Sequence, residues 1–143
     1  MEIGVEVRRD LAGVDWSALK ASLAADRFDN GRTADELRQS FEASYATALA
    51  WAEGSVVGAA RLLADGVCNA YLVDVWTATV YRRRGIGGAI VQDLLSRVPG
   101  HHVALFTENH VRFYESLRFR VEGDTGMSLV VGEWLNRPRS ELT

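Results

Sequence analysis

The chain has 143 residues, 48% of them hydrophobic and 24% charged, which suits a single domain over residues 1–143 with its own core and no need of staples. Cys68 is the only cysteine and there are three histidines, so an internal disulfide and a cysteine-based zinc cluster are excluded and no metal site is expected. The net charge of −3 argues against nucleic acid as a partner, and with neither a membrane-length apolar run nor a signal-like opening the expected location is cytoplasmic, with no membrane association.

Ile3, Val5 and Val7 alternate with polar residues and predict a half-buried first strand. Asp15 then caps a helix whose apolar positions are Trp16, Leu19 and Leu23, ending near Asp29-Asn30-Gly31. Thr33 and Glu36 form a capping box for a second helix carrying Leu37, Phe41 and Tyr45. Ala46 to Ala52 and Ser55 to Leu63 read as paired strands across Glu53-Gly54, and Asp65-Gly66 reverses the chain into a third strand, Tyr71 to Val80. A helix with Ile86, Ile90, Val91, Leu94, Leu95 and Val98 follows, stopped by Pro99-Gly100, and leads to a short buried strand, Val103 to Phe106. Strand, crossover helix and strand form a parallel unit, so strands 70–80 and 102–107 end on one edge, where ligands gather. A short helix at Val111 to Leu117 and a hairpin of Arg120 to Glu122 against Met127 to Val131 complete the expected order, and the tail after Asn136 reads as loose. The fold class is mixed α/β (α+β), with a mostly antiparallel central sheet, one parallel crossover and helices on both faces.

Arg82-Arg83-Arg84-Gly85-Ile86-Gly87-Gly88 joins the apolar strand to that crossover helix. Unpaired N–H groups and the positive end of the dipole make a helix start an anion seat, and the glycines let a phosphate approach it. Two nucleotide motifs fail here. A dinucleotide fingerprint needs glycine where Ile90 stands, and a P-loop needs Gly-Lys-Ser/Thr where Ile90-Val91-Gln92 stands.

The element order, with Arg82-x-x-Gly85-x-Gly87 at the strand-to-helix turn, Phe113-Tyr114-Glu115 in the later helix and Phe119 beyond it, resembles the GNAT superfamily of N-acetyltransferases. The resemblance implies acetyl-CoA as co-substrate, with its pyrophosphate on residues 83–88, so that Arg83, Arg84, Gly85, Ile86, Gly87 and Gly88 are the expected contacts and Arg82 marks the motif. It also implies that pantetheine pairs with the splayed strand at the backbone of Val75, Trp76 and Thr77, and that Tyr114 is the general acid. A backbone N–H near Thr77 can stabilise the thioester oxyanion, and a tyrosine with an ordinary pKa of about 10 stays protonated and can return a proton to the departing sulfur. The sequence departs from the family pattern at Thr79, where proline is frequent, at Arg118, where glycine usually precedes Phe119, and at Thr107, where asparagine is frequent. Asn109, two residues out of register, is the remaining candidate for that cofactor contact.

Asp74, the one carboxylate in its strand, reads equally as a base or ammonium anchor and as a turn-fixing residue paired with an arginine. The acceptor is expected to be a small-molecule or peptide amine bound between the loop at Arg27 to Arg32 and the final hairpin, with Trp51 or Tyr71 as walls. The implied reaction is direct acetyl transfer in a ternary complex. A non-catalytic acyl-CoA sensor of the same fold is the alternative, and modification of a protein amino terminus or an aminoacyl-tRNA is a third. An exposed sheet edge or Trp134-Leu135 offers a surface for a homodimer.

Overall fold

The structure, a computed structural model, describes residues 4–135. Ile3 and the tail after Asn136 lie outside the described residues. Five strands form one sheet in chain order: β1 (Glu6–Arg8), β2 (Ala46–Ala52), β3 (Ser55–Ala64), β4 (Asn69–Thr77) and β5 (His102–Ala104). The first three pairings are antiparallel and β4–β5 is parallel. The helices are α1 (Trp16–Ala25), α2 (Ala34–Glu42), α3 (Ile86–Leu95) and α4 (Val111–Ser116).

Local chemistry sets the boundaries. Asp15 caps α1 by accepting from the Ala18 N–H, and Thr33 and Glu36 close a reciprocal capping box on α2. The β2–β3 hairpin turns through Glu53 and Gly54 at φ 50° and 78°, the left-handed pair that matches strand twist. β2 is buried along its whole length because the sheet is covered on both faces. On one face Ile86, Ile90, Val91 and Leu94 of α3 pack over Ala48, Ala50, Ala60, Leu62 and Leu72. On the other, Leu19 and Leu23 of α1 and Leu37 and Phe41 of α2 pack over Leu49, Trp51, Ala59 and Trp76. Gly58 lets α3 approach: a Cβ there would lie 2.9 Å from Ile90 Cδ1 and 3.1 Å from Ile86 Cγ2.

One irregularity shapes the rest. Arg61 pairs with Val73 and Ala59 with Trp76, so Asp74 and Val75 together oppose the single residue Ala60. This bulge puts Asp74 at φ 59° and shifts the alternation of β4, so Leu72 serves the α3 face while Trp76 serves the α1–α2 face. It also bends β4 away from β5. The two pair only at Asn69↔His102, Ala70↔Val103 and Tyr71↔Ala104, although β4 continues to Thr77.

Three sequence expectations are corrected. β4 stops at Thr77 rather than Val80, because its pairing with β3 ends at Gly58 and a 3₁₀ turn at Thr79–Tyr81 follows. β5 ends at Ala104 rather than Phe106, because the splay removes its partner. The expected hairpin of Arg120 to Glu122 with Met127 to Val131 forms no strands; Val121, Met127 and Leu129 are 76%, 89% and 84% exposed. A two-stranded ribbon without a third strand or a packed face is marginal.

Candidate active site

The splay opens a cleft of about 270 Å³ between Tyr71–Val75 of β4 and Phe106–His110 after β5, with Phe28 and Tyr114 also lining it. A second depression, lined by residues 108–113, adjoins it and shares Glu108, Asn109 and His110. The sequence-expected candidates therefore fall around one edge of the sheet, at the carboxyl end of β4.

The turn expected to seat an anion is an uncapped helix start. Gly85 takes φ 80° at the start of α3, and no side chain caps the helix, leaving its first N–H groups unclaimed by any cap. Gly87 serves close packing as well: a Cβ there would meet Phe113 Cζ at 3.3 Å and Thr77 Oγ1 at 3.6 Å. Ile86 is buried under the sheet and anchors the turn by its side chain. The three arginines differ. Arg82 Nε donates to the Thr77 carbonyl at 3.0 Å, and its Nη2 lies 3.5 Å from Asp26 Oδ2. Arg83, at φ 62°, and Arg84, set over the Tyr81 ring at 5.2 Å, are exposed, and no carboxylate engages either among the described residues.

Asp26, which ends α1, was not singled out by the sequence. Its carboxylate accepts from Trp76 Nε1 at 2.8 Å and Thr79 Oγ1 at 3.0 Å, tying β4 and the following turn to the helix layer. Trp76 is thus a core residue by its side chain, and only its backbone faces the splay. The threonine at 79, where proline is frequent in the family it resembles, has this hydroxyl contact as its local use.

Asp74 forms an ion-pair cluster. Arg32 donates to its two oxygens at 2.8 and 3.2 Å, and Arg61 Nε to Oδ2 at 2.7 Å. The three side chains are 7%, 5% and 13% exposed. With three charge-assisted hydrogen bonds, the carboxylate fastens the bulge to β3 and to the loop after α1. Arg32 and Arg61 were missed by sequence reading. A usable signal existed in that β3 and β4 each carry one internal charge, Arg61 and Asp74, but matching them required the bulge.

Tyr114 is half-buried, edge-on to Phe113 at 4.9 Å and Phe119 at 5.7 Å, and it borders the cleft. Burial pushes its hydroxyl above the ordinary tyrosine value, so it remains a proton donor. The Phe119 N–H donates to the Tyr114 carbonyl at 3.0 Å and Arg118 takes φ 74°, which accounts physically for glycine before Phe119 in the resembled pattern. Thr107 Oγ1 accepts from the His110 N–H at 3.1 Å, fixing the approach to α4, while Asn109 is exposed and lines both depressions. Tyr71 lines the cleft, but Trp51 does not: it packs in the α1–α2 core beneath the Arg8 guanidinium, 4.6 Å away. Among the described residues no cluster of histidine, cysteine and carboxylate could hold a metal, and no helix is long and apolar enough to cross a membrane.

A mixed sheet that splays beside a glycine-led helix start defines an acetyltransferase of the kind the sequence resembles. The chain belongs to the acetyltransferase (GNAT) family, whose sequence model matches residues 12–119. Among curated proteins it is 32% identical over 132 residues to serotonin N-acetyltransferase 2, chloroplastic, of Oryza sativa subsp. japonica; the match covers 85% of this chain, which spans 64% of that relative's length. Among solved structures it resembles a GNAT-family acetyltransferase of Streptococcus pneumoniae TIGR4, with 26% identity, TM-score 0.75 and coverage of 90% and 99% of the two chains. A Trypanosoma brucei acetyltransferase shares 25% identity at TM-score 0.69, with 89% and 99% covered.

Proposed function

We propose that the protein transfers acetyl from acetyl-CoA directly to a primary amine bound beside it. The observation that carries this reading is the splay of β4 from β5 at the Asp74–Val75 bulge, opening next to the uncapped start of α3 and within reach of Tyr114. The residues fit the co-substrate. Arg83, Arg84 and the N–H groups from Gly85 to Gly88 would hold its pyrophosphate, and the backbone of Val75 to Thr77, beyond the last β5 partner, would hold its pantetheine as an added strand. The bound group supplies an activated acetyl thioester.

The chain's own groups then do three things. A backbone N–H near Thr77 stabilises charge on the carbonyl oxygen without reorganising. Tyr114 donates a proton to sulfur as the C–S bond breaks and the N–C bond forms. Of the two protons that an ammonium loses in becoming an amide, one is balanced by that donation and the other leaves toward solvent through the open cleft, past the exposed His110 on its rim. Asp74 acts as a positioning residue, because its lone pairs face Arg32 and Arg61.

The test is CoA release from acetyl-CoA across a panel of amines, with acetyl-CoA binding measured separately by calorimetry. Binding without release by any amine would instead support the acyl-CoA sensor.

A further inference from the structure

The arginines divide into two sets. Eight of the thirteen among the described residues lie within 3.7 Å of a carboxylate. The other five, Arg27, Arg83, Arg84, Arg112 and Arg118, are exposed and meet no carboxylate among the described residues. These five gather at one end of the molecule. Arg83 and Arg84 precede α3, and Arg27 follows Asp26, whose carboxylate reaches Thr79 and Arg82 of the turn before that helix. Arg112 and Arg118 flank the α4 residues that pack on the first turn of α3, where Phe113 meets Gly87 and Leu117 meets Gly88. Glu115 is the one carboxylate between them, so positive charge is in excess here on a chain whose net charge is −3. Exposed, unmatched arginines attract an anionic partner and are common where proteins bind one another.

We infer that this surface docks an acidic protein carrying the acyl thioester on its own phosphopantetheine arm, so that a carrier-bound acyl group is a second donor beside acetyl-CoA. Such docking rests on the acetyl-transfer reading, in which the start of α3 holds the phosphate end of the donor. A pantetheine arm laid along β4 places whatever is attached to its phosphate outside that turn: a nucleotide in CoA, a folded protein in a carrier. Arg83 and Arg84 suffice for the phosphate. Arg27 lies on another element, and Arg112 and Arg118 sit towards the two ends of α4, a helix about 9 Å long. That spread suits carboxylates set along a partner's surface better than one more phosphate. The transfer stays balanced, since the amine nitrogen bonds to the carbonyl carbon, the C–S bond breaks, and the arm leaves as a thiol with the Tyr114 proton. RNA suits the surface less well. Glu108 lines the adjoining cleft and neither lysine nor arginine does, so a phosphate backbone entering with an acceptor would meet like charge, whereas a carrier stays at the far end of its arm.

The test titrates the full chain by calorimetry with a holo acyl carrier protein, its apo form lacking the arm, acetyl-CoA and a tRNA, at low and high salt. The acetyl-loaded carrier also replaces acetyl-CoA in the amine-panel assay. The holo carrier is expected to bind about tenfold tighter than the apo form, to weaken as salt rises, and to deliver acetyl to the amines that acetyl-CoA serves. Combining Arg112→Glu with Arg118→Glu should cost carrier affinity about tenfold, and Arg27→Glu about threefold, with acetyl-CoA affinity held within about twofold. All three positions are exposed, so the changes do not threaten folding. No binding of the holo carrier, equal binding of the apo form, unchanged carrier affinity in the variants, tighter binding of the tRNA, or no transfer from the loaded carrier overturns carrier docking while leaving acetyl transfer from CoA standing. An equal loss of acetyl-CoA affinity in the variants overturns it too, by assigning these arginines to the nucleotide of CoA. Failure to bind acetyl-CoA overturns the CoA reading alone, because the carrier titration is read separately.

Discussion

Tyr114 is the residue on which the proposed chemistry turns, and its surroundings make definite demands. Tyr114→Phe keeps the ring packing against Phe113 and Phe119 and removes only the hydroxyl, so kcat should fall by about 10²-fold with acetyl-CoA affinity unchanged. Because burial raises its pKa, the native protein holds this proton more tightly than the unfolded chain does. Any stability linked to it is complete below the ordinary value of about 10 and is lost as pH climbs through the native value, and loss of the acid from the rate profile belongs to the same alkaline range. Arg118 tests backbone cost at a single position. It holds φ 74° with its side chain exposed, so Arg118→Gly should raise unfolding stability by about 1 kcal/mol in urea titration. At Cys68, the neighbouring Asp65 carboxylate pushes the thiol up, and Asp65 itself is held well below the usual carboxylate range by the N–H groups of Cys68, Val67 and Asn69. Asp65→Asn should therefore speed alkylation of Cys68 by iodoacetamide at neutral pH.

Among the elements, β4 combines a packing role with a binding role, and the bulge separates the two. Asp74→Asn removes a buried charge from between two arginines, leaving them unmatched, so a loss of about 3 kcal/mol is expected from denaturant unfolding. As a positioning residue it should also weaken acetyl-CoA binding, whereas a residue serving stability alone would leave calorimetry of the folded fraction unchanged. The α3–β3 contact gives an independent test. Gly58→Ala drives a methyl against Ile90 and Ile86 and should cost about 1–3 kcal/mol, with part of the loss restored by Ile90→Val. Most element boundaries were legible in the sequence because strong local chemistry fixes them, as the Thr33–Glu36 box and the Glu53-Gly54 turn do. β5 and the final hairpin were not. Their alternation describes which residues suit a strand, whereas a strand exists only where a partner runs alongside, and the bulge that withdraws β4 leaves no mark in hydrophobic periodicity.

Across the whole molecule, the candidate site was readable wherever it depends on backbone, and obscure wherever it depends on side chains brought from afar. The glycine-led turn and Tyr114 carry their chemistry within a few residues. Arg32, Arg61, Asp26 and Phe106 reach the site from four different segments, so only the assembled fold reveals them. If the turn seats acetyl-CoA as proposed, a ligand concentration a hundredfold above Kd should stabilise the protein by about 2.7 kcal/mol, read as an upward shift in Tm. Raising salt should weaken that binding through Arg83 and Arg84, the exposed charges at the turn. The bulge at Asp74 and Val75 also sets a limit on how this chain can change length. Deleting either residue would return β4 to one-for-one pairing with β3, keep the Trp76 indole on the α1–α2 face opposite Ala59, and let the strand run straight beside β5. Such a sheet would be more regular and would have no opening, so the site exists because this strand is one residue too long for its neighbour.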